Sequence, residues 1–156
     1  MVQHSISLYR RPGGDAPLVV DQIVAIAREL TGEWFAPDVP EALPSDLKFH
    51  DALCLEFGRR VASFITFTSM DGSLLITLMG TDPSVRGQGH GSRLMRALFD
   101  HARELGFADI VVQTVPPSAK PGYAATVRFY QEHGFVIEKE YKELWETGAL
   151  ELRKRL

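Results

Sequence analysis

The chain has 156 residues, 45% hydrophobic and 24% charged, which is globular usage and excludes a disordered chain. Its net charge of −3 gives no field for binding nucleic acid or an anionic membrane, and its single cysteine excludes an intrachain disulfide. The length suits one domain over residues 1–156, with a core that needs no metal or disulfide staple. The opening Met1-Val2-Gln3-His4-Ser5 lacks a basic region followed by an apolar core, and no stretch reaches the length of a membrane span. A cytoplasmic monomer or homodimer is expected, with no nucleic-acid or membrane partner.

Alternation over residues 6–10 (I-S-L-Y-R), broken at Pro12-Gly13-Gly14, predicts a first strand. Ile23, Ala27 and Leu30 recur at helical spacing within residues 19–30, and Gly32 stops that helix. Residues 34–44 are rich in proline and read as a loop with at most one short helix. Three strands, 52–57, 61–68 and 74–79, separated by Gly58-Arg59 and by Met70-Asp71-Gly72-Ser73, predict an antiparallel meander. The lone Cys54 lies in the apolar run Ala52-Leu53-Cys54-Leu55 and reads as a small buried hydrophobe rather than a nucleophile.

After the third strand of the meander, Arg86-Gly87-Gln88-Gly89-His90-Gly91 opens a helix whose expected buried face is Leu94, Ala97, Leu98, Ala102 and Leu105, with Gly106 as its stop. A β-branched strand over 108–115 ends at Pro116-Pro117. A short helix over 124–133 stops at Gly134, and strands 135–144 and 149–156 close the chain.

The glycine-rich turn carries the strongest chemical signal. Glycines let a loop fold tightly with its N–H groups converging, and the first helical turn adds unpaired donors and the positive end of a dipole. Such a cradle suits phosphate oxygens. The spacing Gly87, Gly89, Gly91 does not match the dinucleotide fingerprint G-x-G-x-x-G, nor is there the Gly-Lys-Ser/Thr of a nucleoside triphosphate loop. Taken alone, G-x-G-x-G also describes a flexible turn.

With its flanks, the segment resembles the cofactor motif of the GNAT acyltransferase superfamily, R/Q-x-x-G-x-G/A, on Arg86, Gly89 and Gly91, and its longer form on Pro83, Arg86, Gly87, Gly89 and Gly91. A second family hallmark, F-Y-x-x-x-G-F, stands at Phe129-Tyr130-Gln131-Glu132-His133-Gly134-Phe135. The resemblance implies a mixed α/β fold: a central, mostly antiparallel sheet of about seven strands, splayed between strands 4 and 5 and flanked by about four helices. It further implies acetyl-CoA as co-substrate, with the pantetheine arm along Leu78, Met79, Gly80 and Thr81 and an N–H near Met79 facing the thioester oxygen. The pyrophosphate would rest on the amides of Arg86, Gly87, Gln88, Gly89, His90 and Gly91, with Ser92 just beyond.

Tyr130 matches the family position whose hydroxyl protonates the leaving thiolate, a role suited to a phenol that keeps its proton at neutral pH. An equally physical alternative is an amphipathic tyrosine packed on the buried helix face with Tyr123 and Val127, and Phe129 and Phe135 read as core. Tyr123 and Thr126 stand where many relatives carry Asn and Ala, so Ser118 and Lys120 are candidate substitutes for the missing cofactor contact, the alternative being solvated loop residues. The fourth strand bears no carboxylate to serve as base. Glu56 and His50 are the remaining candidates, acting through water, and each is more often a surface residue. Trp34 and Phe35, beside Asp38 and Glu41, fall in the variable acceptor-binding region and suit a cationic amine, or a packing loop. His4, His101 and His133 have no ligand spacing and His90 lies inside the turn, so no metal is expected. The activity implied is direct transfer of an acetyl group to a primary amine, on a small molecule or a peptide. The alternative is a non-catalytic CoA-binding regulatory module of the same fold.

Overall fold

The computed structural model describes residues 3–156; Met1 and Val2, part of the N-terminal segment read above, lie outside the described residues. The elements run β1 (His4–Tyr9), α1 (Pro17–Leu30), α2 (Val39–Asp46), β2 (Asp51–Phe57), β3 (Arg60–Met70), β4 (Ser73–Thr81), a 3-10 turn (Pro83–Val85), α3 (His90–Glu104), β5 (Asp109–Thr114), α4 (Tyr123–Glu132), β6 (Val136–Tyr141) and β7 (Ala149–Arg155). The strands form one mixed sheet in the order β1-β2-β3-β4-β5-β7-β6. β4 runs parallel to β5, pairing Leu74–Ile76 with Ile110–Val112, while β1 with β2, β2 with β3, and β7 with both β5 and β6 are antiparallel. Seven mostly antiparallel strands and four helices are the architecture expected from the sequence.

The chain divides into two compact units, one of residues Met1–Thr68 with Leu78–Leu98, the other of Ser69–Thr77 with Phe99–Leu156. In the first, α1 opens with Pro17 at a position where its missing N–H is harmless. It buries Ile23, Ala27 and Leu30 together with Val20, Val24 and Ile26. The proline-rich stretch beyond it supplies α2, the one short helix anticipated there. β2 and β3 are buried on both faces, through Ala52–Glu56 and Val61–Phe67 respectively, which is why they read as apolar runs rather than alternations. Cys54 is fully buried among them. Gly80 in β4 is a close approach: a Cβ there would meet Leu30 Cδ1 at 2.8 Å and Phe64 Cε1 at 3.1 Å.

In the second unit, β5 buries Ile110, Val111 and Val112, as its β-branched run predicts. The Phe99 ring packs against Phe135 at 6.1 Å between centroids and lies under the Lys154 ammonium at 5.4 Å. Arg153 of β7 is held by Asp109 and by Glu138. Two expectations need correction. Leu105 is 53% exposed, because it lies past the end of α3 where Gly106 (φ +87°) turns the chain, and Met95 and Phe99 are buried instead. Phe129, read as core, is half-buried.

Candidate active site

Asp82 organises the approach to the glycine-rich turn. Its carboxylate accepts from the Ser84 amide (2.9 Å) and hydroxyl (2.8 Å) and from the Arg60 guanidinium (2.6 Å), capping the 3-10 turn that Pro83 begins. Burial pushes its carboxyl up, yet the Ser84 amide and Arg60 outweigh that and hold it below the ordinary carboxylate value. Asp82 is not among the candidates named from the sequence, although an aspartate immediately before a proline at a helix start is a recognisable capping signal. Beyond it, residues 86–89 are exposed. Gly87 (φ +75°) and Gly89 (φ +80°) adopt the left-handed region, and a Cβ on either would meet nothing within 4 Å. The Arg93 amide donates to the Gly89 carbonyl (3.1 Å) and closes the first turn of α3. The result is a bare turn, open to solvent, ending at a helix N-terminus, which is the geometry an anion requires. The Arg86 guanidinium lies 3.5 Å from Glu33, an exposed pair of small energetic weight.

Before that turn, hydroxyls of β3 hold the end of β4. Ser63 Oγ donates to the Gly80 carbonyl (3.1 Å) and lies 2.8 Å from Thr81 Oγ1, and Thr66 Oγ1 donates to the Leu78 carbonyl (3.4 Å). Leu78, Met79 and Thr81 are half-buried and Gly80 is buried. Ser92 is half-buried in the first turn of α3, and His90 is buried.

Tyr130 lies on the buried face of α4 with Val127, its ring edge-on to Phe129 (5.7 Å) and Phe135 (5.5 Å). Burial, then the nearby Tyr123, raises its phenol well above the usual value of 10, so it holds its proton throughout the neutral range. Burial likewise raises Tyr123. Ser118 is exposed, as is Lys120, whose ammonium stands 6.0 Å from the Tyr123 ring centroid.

The two candidate bases part company. Glu56 is 7% exposed, not a surface residue, and its carboxylate accepts the Tyr9 hydroxyl at 2.8 Å; burial, then that bond, pushes the Tyr9 phenol up to about 12. Tyr9 was not singled out from the sequence, and nothing local in the chain marks a partner 47 residues away. His50 precedes the start of β2, at the opposite end of that strand from Phe57 and the His90 ring packed on it. Along an extended strand that is a separation of roughly 20 Å. Trp34 and Phe35 are half-buried and pack on the core cluster to which α1 contributes Ile23, Ala27 and Leu30. Burial raises the Cys54 thiol to about 12, which fits an inert hydrophobe.

An open trough of about 480 Å³, lined by Leu75, Val111, Gln113, Glu151 and Arg153 among others, contains none of the candidate site residues. Among the described residues there is no cluster of three metal-ligating side chains, and no helix is long and apolar enough to cross a membrane.

The same fold recurs in solved structures of acetyltransferases. A GNAT-family protein from Desulfovibrio desulfuricans superposes with a TM-score of 0.80 at 15% identity, over 99% of this chain and 98% of its own. The ribosomal-protein-S18-alanine N-acetyltransferase of Escherichia coli does so at 0.78 and 14%, over 98% and 94%. A GNAT family acetyltransferase from Elizabethkingia anophelis, with acetyl-CoA bound, follows at 0.75 and 14%, over 98% of both chains. No curated protein sequence matches the chain. The family model for the acetyltransferase (GNAT) family matches residues 21–135, and the chain belongs to that family.

Proposed function

We propose that residues 1–156 form one N-acetyltransferase domain that transfers an acetyl group from acetyl-CoA to a primary amine by direct attack. The observation that carries this reading is the turn itself: left-handed Gly87 and Gly89 with open space above both, leading into the first turn of α3. Pyrophosphate oxygens would take the amides of residues 86–91, with Ser92 beside them. Along β4 the backbone of Leu78–Thr81, already braced by β3 hydroxyls on its carbonyls, would hold the pantetheine arm, and an amide near Met79 would stabilise charge growing on the thioester oxygen. Tyr130 would then give its proton to the departing thiolate. Glu56 is the better candidate for receiving the amine proton through water, because it is a buried carboxylate on the strand end that reaches Phe57 and His90. Lys120 and Ser118 would meet the cofactor from the loop before α4. The acceptor is an amine of a small molecule or peptide, and the E. coli relative, which acts on a ribosomal-protein alanine, illustrates the second kind.

The absence of any carboxylate in the β4 sequence Ser-Leu-Leu-Ile-Thr-Leu-Met-Gly-Thr favours a second reading, a non-catalytic CoA-binding module. Release of free thiol from acetyl-CoA across a panel of amines, peptides and aminoglycosides separates the two. An enzyme gives amine-dependent thiol release with one class; a binding module binds CoA and releases none above hydrolysis.

A further inference from the structure

His90, the first residue of α3, is 3% exposed, and neither of its ring nitrogens has a hydrogen-bond partner among the described residues. A buried polar group left unmet is uncommon and needs a reason. The ring stands edge-on to Phe57 of β2 (5.3 Å between centroids) and to His4 of β1 (5.6 Å). Arg93, three residues on along α3, places Nη1 2.9 Å from Nδ1 of His4. A guanidinium only donates, so that nitrogen accepts. The groups bearing on His90 are therefore the titratable His4 from β1, the cationic Arg93 from α3 and the positive end of the helix itself, while β2 presents an uncharged ring. No carboxylate is among them.

We propose that His90 makes the cofactor turn proton-sensitive: only the neutral imidazole fits between β1, β2 and α3, and taking up a proton opens the first turn of α3. The consequence for the cofactor rests on the reading that this turn holds the pyrophosphate. Burial, then His4 and Arg93, lowers the His90 pKa from its usual value. A histidine depressed in the closed turn stabilises that turn fully above an ordinary histidine pKa of about 6.5, and the stabilisation is lost as pH falls below it. Each pH unit below that point shifts the equilibrium toward the open turn by up to about tenfold. Bound phosphates would attract an imidazolium and work in the opposite direction. The loss of the turn dominates because the imidazolium has no acceptor among the described residues that pack on it.

The test pairs two measurements at pH 7.5, 6.5 and 5.5. One is hydrogen exchange of the Arg93 amide, which closes the turn on Gly89, corrected for intrinsic exchange. The other is the Kd for dephospho-CoA, which lacks the phosphate monoester that titrates near pH 6. In the wild type, Arg93 protection falls by about three- to fivefold between pH 6.5 and 5.5, and the Kd rises in step. His90→Leu is flat in both. His4→Asn, whose amide oxygen can still accept from Arg93, keeps a fall in the same direction, reduced only by the loss of the His4 charge. Flat wild-type protection, or binding that tightens on acidification, overturns the proposal, as does a pH dependence that survives in His90→Leu. Should that variant not fold, the wild-type profile alone decides. Absence of binding at every pH overturns the cofactor reading of the turn, and the exchange data still decide the opening.

Discussion

Tyr130 keeps its proton because it is buried among Val127, Phe129 and Phe135, where a phenolate would be poorly solvated. The hydroxyl therefore carries its proton at neutral pH, as the proposed donor to the departing thiolate must. Tyr130→Phe retains the ring packing and loses only the hydroxyl. We expect CoA affinity within a few fold of wild type and turnover lower by about ten- to a thousandfold, read as initial rates of thiol release. A folded variant with full activity would return Tyr130 to the core. Asp82 acts one step earlier, on the shape of the turn. Asp82→Ala removes the cap on Ser84 and the Arg60 pair, and is expected to cost about 1 kcal/mol in denaturant unfolding and to weaken CoA several-fold. Because its carboxyl is depressed in the fold, this contribution is present above a pH of about 4 and disappears on acidification below it. Equal stability of the two proteins at pH 7 would remove Asp82 from the account.

At the scale of elements, the sequence was most legible where one period governed a whole segment. The helix α1 was found from Ile23, Ala27 and Leu30, and the two-sided burial of β5 from its β-branched run. The glycine-rich turn was legible because positive φ demands glycine, and Gly87 and Gly89 both adopt it. Less legible was the orientation of α3. Its sequence offers hydrophobes on two adjoining stripes, and only tertiary packing buries Met95 and Phe99 while leaving Ala97 half-buried. The Tyr9–Glu56 bond could not be read at all, since it joins residues brought together by strand pairing and long side chains. His90 was recognised as part of the turn, but its burial follows from the approach of β1 and β2, which no local pattern encodes.

For the molecule as a whole, several acidic groups are wholly or partly buried in their neutral forms. Cys54 and Tyr9 are each raised to about 12, and Tyr130 is raised further. An acid whose folded pKa is raised binds a proton that the unfolded chain releases, so stability falls as pH rises past the unfolded pKa. The decline begins with Cys54 near pH 9 and steepens near 10 with the tyrosines. One such group contributes a slope of up to about 1.4 kcal/mol per pH unit. Thermal unfolding between pH 8 and 10 is expected to show it, and Cys54→Ala, though destabilised by a small cavity, should flatten the stretch between 9 and 10. An unchanged slope in that variant would contradict the assignment.

The central claim, that residues 86–91 hold the pyrophosphate of CoA, is tested most directly by calorimetric titration of CoA into the wild type and into Gly89→Val. Gly89 lies at φ +80° in open space, so valine brings strain and a β-branched side chain to the cradle without a clash in the core. The account predicts micromolar binding to the wild type and no measurable binding to a folded Gly89→Val; equal affinity in both would contradict it.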